Sequence, residues 1–245
     1  DLVLPGASFA EKDGTFTGTE RRVQRVRRAV PPVGQARPDW AILCDLAERV
    51  GYDGMRYASP EEVFDEIARL TPIYGGMSYA RLEPWGLQWP CPTPDHPGTP
   101  FLHEGTFARG RGRFCPAEYR PPAEEPDDAY PLILTTGRVY FHWHTGSMTR
   151  RTSVLLRECP EPFVEVSPQD ATRLAVADRA RVCVASRRGR VELAARVTET
   201  VPPGTLFIPF HFYEAAANLL TNPALDPEAK IPELKTCAAR LTPCP

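Results

Sequence analysis

Proline is the residue that most constrains the fold of this chain. The 245 residues include 28 prolines, well above the roughly 5% of an average protein. Many of them fall in two stretches, 84–100 (PWGLQWPCPTPDHPGTP) and 121–131 (PPAEEPDDAYP). Because proline lacks an N–H and has a fixed φ, neither stretch can be a regular helix or a central strand. The two stretches therefore divide the chain into an N-terminal and a C-terminal half.

The remaining composition excludes several classes of protein. The chain is 42% hydrophobic and 24% charged, which is typical of a globular protein. A net charge of −2 gives no overall attraction to nucleic acid or to an anionic membrane. No apolar run reaches the ~18–20 residues of a membrane-spanning helix, and no signal peptide is visible, so we expect a soluble, cytoplasmic protein. The chain starts inside an expected strand, residues 2–5, which indicates a longer protein upstream of Asp1.

The seven cysteines are odd in number and scattered, without the close spacing of zinc or iron–sulfur ligands. We predict reduced thiols, with Cys44 and Cys183 buried in apolar surroundings.

The N-terminal half is predicted to be rich in helix. A loop is expected at 11–18, and residues 20–28 (ERRVQRVRR) are either a solvated cationic surface or a seat for a phosphate or an acidic neighbour. One helix is predicted from Asp39, as N-cap, to Gly51. Another is predicted to start at Ser59, with proline in its first position.

The C-terminal half has the pattern of a β-barrel. Short strands rich in valine and alanine alternate with turns and with one short helix, from Ser167 to Leu174. The predicted strands are Leu132–Thr136, Phe163–Val166, Ala180–Ser186, Val191–Thr198 and Gly204–Phe210.

The segment 131–151 (PLILTTGRVYFHWHTGSMTRR) carries most of the candidate binding groups. A strand leads into Thr136-Gly137-Arg138, where a free backbone N–H and a guanidinium suit a phosphate oxygen. Thr145, Gly146, Ser147, Met148 and Thr149 add hydroxyls and backbone donors. With the second segment around His211, the sequence indicates one polyanionic ligand held between distant parts of the chain.

The histidines admit several roles. His142, His144 and His211 could hydrogen-bond a ligand or be satisfied core residues, and we predict no metal ligands among them. Trp143 and Phe212 are expected to pack rather than to stack on a ligand. Asn218 could present an amide to a flat ligand. Lys235 is one of three lysines beside 26 arginines, and it is either a binding group or an ordinary surface lysine.

Three strings of residues resemble one enzyme family. LPGASFAEKDGTFTGTERRVQ, TTGRVYFHWHTGSMTRR and FHFYEAAANLLTNPALDPEAKIPELKTCAARL are similar to the molybdenum/tungsten bis-pterin oxidoreductases (the dimethyl sulfoxide reductase family), and most of all to the catalytic (alpha) subunit of formate dehydrogenase. The resemblance covers nearly the whole chain. It implies an α+β, mainly β fold, in which residues 126–245 form a six-stranded double-psi β-barrel and 1–125 the tail of an α/β domain.

The resemblance also implies a cofactor, molybdopterin guanine dinucleotide, as one of a pair (bis-MGD) that holds molybdenum or tungsten. The residues that match the family's cofactor-contacting segments are Arg138, His142, His144, Thr145, Ser147, Met148, Thr149, His211, Asn218, Lys235 and Thr236. Ser147 stands where threonine is more usual. The metal's protein ligand, the iron–sulfur cysteines and the catalytic groups would lie upstream of Asp1, so no catalytic residue is predicted here.

The expected function is therefore the cofactor-binding, C-terminal portion of a formate dehydrogenase catalytic subunit. The intact enzyme would oxidise formate to CO2 and pass electrons through the pterins and iron–sulfur clusters to a diaphorase or another electron-transfer subunit. This chain alone would bind cofactor without turnover. Two alternatives are an assimilatory nitrate reductase catalytic subunit and a non-catalytic pterin-dinucleotide-binding module.

Overall fold

The computed structural model describes residues 2–244, which fall into two compact units. The first ends at Cys115 and the second begins at Pro116. The predicted domain boundary at 125/126 lies inside the second unit, and the assignment of 1–125 to the tail of an α/β domain stays a prediction.

The first unit contains a small antiparallel sheet and two helices. Strands β1 (Gly14–Thr17), β2 (Arg22–Val26) and β3 (Leu87–Gln88) form the sheet, in that order. The helices are α1 (Asp39–Arg49) and α2 (Pro60–Leu70). The start of α2 is confirmed, because Ser59 Oγ accepts from the Glu62 N–H at 3.3 Å and proline follows it. The core lies around Val23, Phe64 and Leu82.

Several predictions for this unit were wrong. Residues 2–5 do not form a strand, and Asp39 is the first helical residue rather than a side-chain N-cap, because its carboxylate pairs with Lys12 instead. The predicted loop at 11–18 contains β1, and the arginine-rich run contains β2. Arginines of this run make contacts within the first unit. Arg21 donates to main-chain oxygens that include those of Thr99 and Pro100. Arg25 lies 3.6 Å above the ring of Tyr79.

The second unit is a closed barrel, which confirms the predicted fold class. Its six strands within the described residues are β4 (Leu132–Gly137), β5 (Phe163–Val166), β6 (Arg181–Ala185), β7 (Arg190–Val197), β8 (Thr205–Pro209) and β9 (Cys237–Pro243). They are arranged in the order β4-β8-β5-β7-β6-β9, and β9 pairs with β4 to close the barrel. Two short helices, α3 (Ser153–Glu158) and α4 (Pro168–Arg173), lie in the connections.

Alternating side chains fill the barrel. Residues at every second position of the strands point inward and are almost wholly buried. The inward residues include Leu132 and Leu134 on β4, Val182 and Val184 on β6, Leu206 and Ile208 on β8, and Cys237, Ala239 and Leu241 on β9. Burial of these apolar groups is the main stabilising term for the unit.

Strand direction places three chain segments at one end of the barrel. β4 runs parallel to β8, with Gly137 opposite Pro209, so both strands end at the same level. β9 runs antiparallel to β4, with Cys237 opposite Leu134, so it begins near that end. The segments after β4, after β8 and before β9 therefore meet at one rim.

The five predicted barrel strands were accurate to within one residue at each end, but β9 was missed. Its sequence, Cys-Ala-Ala-Arg-Leu-Thr-Pro, has small residues at two of the three inward positions, Cys237 and Ala239, and therefore shows little hydrophobic alternation. α3 was also missed. Among the described residues, all seven cysteines are free. The buried ones are Cys91, Cys159 and Cys237, whereas Cys44 and Cys183 are half-buried, against expectation.

In the part of the chain from 2 to 244, no helix is long and apolar enough to cross a membrane.

A buried carboxylate fixes the entry to β8. Asp170, on α4, accepts hydrogen bonds from the Gly204 N–H at 2.6 Å, from Arg173 at 2.6 Å and from Ser167 Oγ at 2.8 Å. Burial alone would raise the pKa of Asp170, but the bonds from Arg173, Gly204 and Ser167 outweigh it and hold the pKa below its ordinary value. The charged form is therefore the one that the barrel requires.

We expect Asp170→Asn to lower the free energy of unfolding by about 2–3 kcal/mol, because charge-assisted bonds are lost in a buried setting. Since the folded-state pKa is depressed, this contribution is present above the unfolded value of about 3.9 and is lost as the pH falls through the folded value. Urea unfolding between pH 7 and pH 3 measures it. Glu192→Gln, at an exposed position on β7, is the control, and an equal loss in both variants would contradict the assignment.

Candidate functional site

The candidate site is the rim where β4 and β8 end, and its main element is the loop that follows Gly137. A Cβ at Gly137 would lie 2.5 Å from Cε2 of Phe207 on β8, so this position requires glycine if the two parallel strands are to stay close. The loop continues through a short 3-10 helix, Thr149–Arg151, to α3.

His142 stabilises the inside of this loop by a chain of hydrogen bonds. The N–H of Trp143 donates to Thr149 Oγ1 at 3.1 Å, and that hydroxyl lies 3.2 Å from His142 Nδ1. His142 Nε2 lies 2.9 Å from the carbonyl oxygen of Cys159. Because a carbonyl only accepts, Nε2 carries the proton and Nδ1 accepts from Thr149. His142 is thus a satisfied, buried histidine, one of the two roles that the sequence left open.

His211 packs against His142 but keeps an unpaired nitrogen. The two imidazole rings are 4.5 Å apart between centroids. His211 Nε2 is buried, and no hydrogen-bond partner for it lies within residues 2–244. Burial, together with His142 and Arg150, lowers the pKa of His211 to about 4. His211 is therefore neutral at physiological pH, and a buried polar atom of this kind calls for a partner.

An ion pair ties the loop to the segment after β8. Arg150 donates to both carboxylate oxygens of Glu214, at 3.1 and 2.5 Å. Its guanidinium also lies 5.0 Å from the ring centre of Phe212 and 5.1 Å from that of Tyr213. The hydrogen bonds from Arg150 hold the pKa of Glu214 below its ordinary value. Neither residue was singled out from the sequence; the spacing gives no signal for a pair 64 positions apart.

The segment before β9 joins the same rim. Lys235 Nζ donates to the carbonyl oxygen of Thr136 at 2.7 Å, and Thr136 Oγ1 donates to that of Leu234 at 2.7 Å. Lys235 is thereby held beside the start of the loop, so it is not an ordinary surface lysine. Asn218 lies instead on the short helix 217–219, whose Leu219 oxygen approaches Gly189.

The thirteen predicted cofactor-binding residues separate by exposure. Seven present their side chains to solvent: Arg138, His144, Thr145, Ser147, Met148, Asn218 and Lys235. Thr149 and Thr236 are half-buried, and four are buried: Thr136, Gly137, His142 and His211. The exposed residues can contact a ligand directly, whereas the buried residues support the loop from the interior of the unit.

The exposed face of the rim is cationic. Among the described residues, no carboxylate lies within ion-pair distance of Arg138, Arg151 or Lys235. The guanidinium of Arg138 lies 5.6 Å from the ring centre of Trp143, which is itself two-thirds exposed. Trp143 was expected to pack in the interior and does not, whereas Phe212 is wholly buried as expected. Unpaired cations beside an exposed aromatic ring suit a ligand that combines phosphates with flat heterocycles.

Backbone strain marks the centre of the loop. His144 has a positive φ of 49°, a conformation that costs free energy in a residue with a side chain. Its ring meets that of Phe210 edge-on at 5.5 Å between centroids. Gly146 follows with φ 72° and is packed between Arg150 and His211. These contacts join the loop to the segment after β8 independently of the Arg150 ion pair.

A wide groove in this unit lies away from the rim. It has a volume of about 970 Å³ and lies between residues 116–123 and 224–233. Four carboxylates line it, those of Glu118, Asp226, Glu228 and Glu233, against one guanidinium, that of Arg120. Such a surface repels a polyanion, and the rim loop is the better candidate for an anionic ligand.

Comparison with known proteins gives the family relationships of the chain. Residues 132–238 match the family described as molydopterin dinucleotide binding domain, and residues 1–49 match the family described as molybdopterin oxidoreductase. The chain is 52% identical to the F420-dependent formate dehydrogenase subunit alpha of Methanocaldococcus jannaschii over 98% of its own length and 36% of that protein. It is 38% identical to the assimilatory nitrate reductase catalytic subunit of Bacillus subtilis over 99% of its length and 36% of that protein.

A solved structure shares the fold. Acetylene hydratase from Pelobacter acetylenicus matches 99% of this chain and 38% of its own, with a TM-score of 0.77 and 19% identity. The chain thus spans about a third of the length of the curated relatives it matches.

We expect Gly146→Ala to destabilise the second unit more than Gly204→Ala does. Both glycines have positive φ, so both alanines meet the same backbone penalty of about 1–2 kcal/mol. A Cβ at 146 would also lie 2.9 Å from Arg150 Cδ and 3.3 Å from His211 Cδ2, whereas nothing lies within 4 Å of one at 204. Overpacking should add about 1–3 kcal/mol at 146. Equal losses in denaturant unfolding would show that the loop packs less closely than described.

The ion pair between Arg150 and Glu214 should give a coupling of about 1 kcal/mol in a double-mutant cycle with Arg150→Ala and Glu214→Ala. The side chain of Arg150 is mostly buried, which reduces screening. The matched control is the exposed pair Arg157–Glu158, for which the coupling should be near zero. A coupling no larger than the control value would show that the two segments are held together by other contacts.

Proposed function

Because this chain belongs to the molybdopterin oxidoreductases and contains their molydopterin dinucleotide-binding domain, we propose that it is the C-terminal, cofactor-binding portion of a formate dehydrogenase catalytic subunit. The observation that carries the proposal is the cationic rim at which three segments of the barrel converge. The relatives at about 50% identity, named as formate dehydrogenase alpha subunits, support the choice of substrate.

The residues at the rim fit the proposed ligand. Molybdopterin guanine dinucleotide carries a pyrophosphate, which requires cations and N–H donors, and two flat heterocycles with hydrogen-bonding edges. Arg138 and Lys235 supply charge, and Thr145 and Ser147 supply hydroxyls, all from exposed positions.

We assign contact with the dinucleotide to the exposed and half-buried residues. Arg138 and Lys235 would meet the pyrophosphate, and His144, Thr145, Ser147, Met148, Thr149, Asn218 and Thr236 would surround the pterin and guanine. The four buried residues would act indirectly, by holding β4, the loop and the segment after β8 in position. They are Thr136, Gly137, His142 and His211. These assignments explain why only part of the sequence-predicted set faces solvent.

The bound cofactor, with molybdenum or tungsten held between two dinucleotides, would supply the redox chemistry of formate oxidation to CO2. The residues of this chain bind and orient; none of them is assigned a catalytic role. The metal's protein ligand and the iron–sulfur clusters would belong to the remainder of the subunit, in the cytoplasm. By analogy with the relatives named F420-dependent, coenzyme F420 would be the electron acceptor, reached through a partner subunit.

A second candidate is an assimilatory nitrate reductase, supported by the 38% identity to the Bacillus subtilis subunit. An enzyme of this kind would use the same dinucleotide site and would differ in the substrate that the remainder of the enzyme binds. A non-catalytic carrier of the dinucleotide is a third possibility with the same rim.

The dinucleotide site can be tested with guanosine diphosphate as probe, because this nucleotide contains the guanine and pyrophosphate. We expect Arg138→Ala to weaken its binding to the chain by ~10–150-fold, since a charge-assisted hydrogen bond contributes about 1.5–3 kcal/mol. Arg157→Ala, an exposed arginine on α3, is the matched control and should leave the affinity unchanged. Isothermal titration calorimetry measures both. Equal affinities in the two variants would contradict the placement of the pyrophosphate.

The substrate is tested on the full-length subunit, purified anaerobically. Metal content by mass spectrometry and formate-dependent dye reduction in the same sample should both be positive. Dye oxidation by nitrate, without formate activity, would favour the nitrate reductase. Metal-free protein without either activity would favour the carrier.

A further inference from the structure

Three potential metal ligands lie together beneath the rim loop. His142, Cys159 and His211 are each at least nine-tenths buried, and one ligand atom from each lies within 4.8 Å of the others. They come from three separate parts of the chain: the loop after β4, the turn after α3 and the segment after β8. The sequence analysis did not include Cys159 in this group, because Cys159 is 17 residues from His142 and 52 from His211.

The donor set selects a definite class of ion. Two imidazole nitrogens and one thiolate sulfur are ligands for zinc and for other borderline or soft metal ions, not for magnesium or calcium. Ligand atoms around a tetrahedral zinc are closer together than 4.8 Å, so the side chains would move inward by about 1 Å. A fourth position would remain for water.

The hydrogen-bond pattern supports an ion at this place. Within residues 2–244, the buried Nε2 of His211 has no hydrogen-bond partner, as is typical of an atom that binds a ligand at the site. The hydroxyl of Thr149 lies 3.2 Å from Nδ1 of His142. This is the outer hydrogen bond that orients a metal-binding histidine, provided that Nδ1 then carries the proton. Nε2 of His142 would lose its hydrogen bond to the carbonyl oxygen of Cys159 and bind the metal instead. That hydrogen bond is weaker than the metal–nitrogen bond that replaces it.

We propose that His142, Cys159 and His211 form a buried binding site for one zinc-like divalent ion. The ion would join the rim loop, the turn after α3 and the segment after β8 at a single point. Its position is separate from the exposed face that carries Arg138, His144 and Lys235, so ion and dinucleotide need not compete for the same atoms. The site is independent of the proposed function, and either can fail without the other. This departs from the expectation, based on the histidines alone, that the chain has no metal ligands.

The test uses cobalt(II) as a spectroscopic substitute for zinc. The chain is stripped with a chelator, reduced and titrated with cobalt under argon. We expect one equivalent to bind, with a sulfur-to-cobalt charge-transfer band in the near ultraviolet, and zinc to displace it. Thermal unfolding should shift upward with either ion.

Cys159→Ser should abolish the charge-transfer band, and Cys237→Ser, which removes a buried thiol on β9, should retain it. If Cys159→Ser does not fold, His211→Gln serves as the second variant and should weaken cobalt binding at least tenfold. Circular dichroism of each variant establishes folding before titration. No band in the unaltered chain, or a band that persists in Cys159→Ser, would overturn the proposal.

Discussion

The parallel pairing of β4 with β8 is the constraint on which the rest of the second unit depends. Because Gly137 stands opposite Pro209, both strands end at the same rim. Each is followed by a segment that carries polar and aromatic side chains. β9, antiparallel to β4, begins at that rim and brings Lys235 with it. This parallel pairing thus brings together residues that are separated by about 100 positions in the sequence. In a barrel with β4 and β8 antiparallel, the segments that follow these strands would lie at opposite ends.

Much of the barrel could be predicted from the sequence, because the strands that fill its interior alternate valine and leucine with polar residues at a period of two. β9 lacked that signal, because two of its inward residues, Cys237 and Ala239, fit a crowded interior but do not stand out as hydrophobic. The first unit was predicted less well. Residues 2–5 have the composition of a strand but pair with no strand in the part of the chain from 2 to 244. β2 was not predicted because its arginines suggested a surface run, whereas they contact other residues of the same unit.

The candidate site illustrates what residue type can and cannot indicate. The sequence indicated this loop as the candidate site, since glycines, hydroxyls and cations after a strand are typical of anion binding irrespective of tertiary detail. It could not separate the exposed from the buried members. His142 and His144 are two positions apart, yet one is enclosed in a hydrogen-bond chain and the other is strained and exposed. Such roles depend on contacts with residues that are distant in the sequence, such as the hydrogen bond of His142 to Cys159 and the ion pair of Arg150 with Glu214.

Closure of the barrel by its last strand has a consequence for biosynthesis. β9 pairs with both β4 and β6, so these two strands keep unpaired main-chain edges until residues 237–243 have emerged from the ribosome. Exposed edges of apolar strands invite pairing with other chains. The nascent polypeptide therefore passes through an interval of more than 50 residues, from the end of β6 to the start of β9, in which it is most prone to aggregation. A chaperone that binds extended segments would be most needed during that interval.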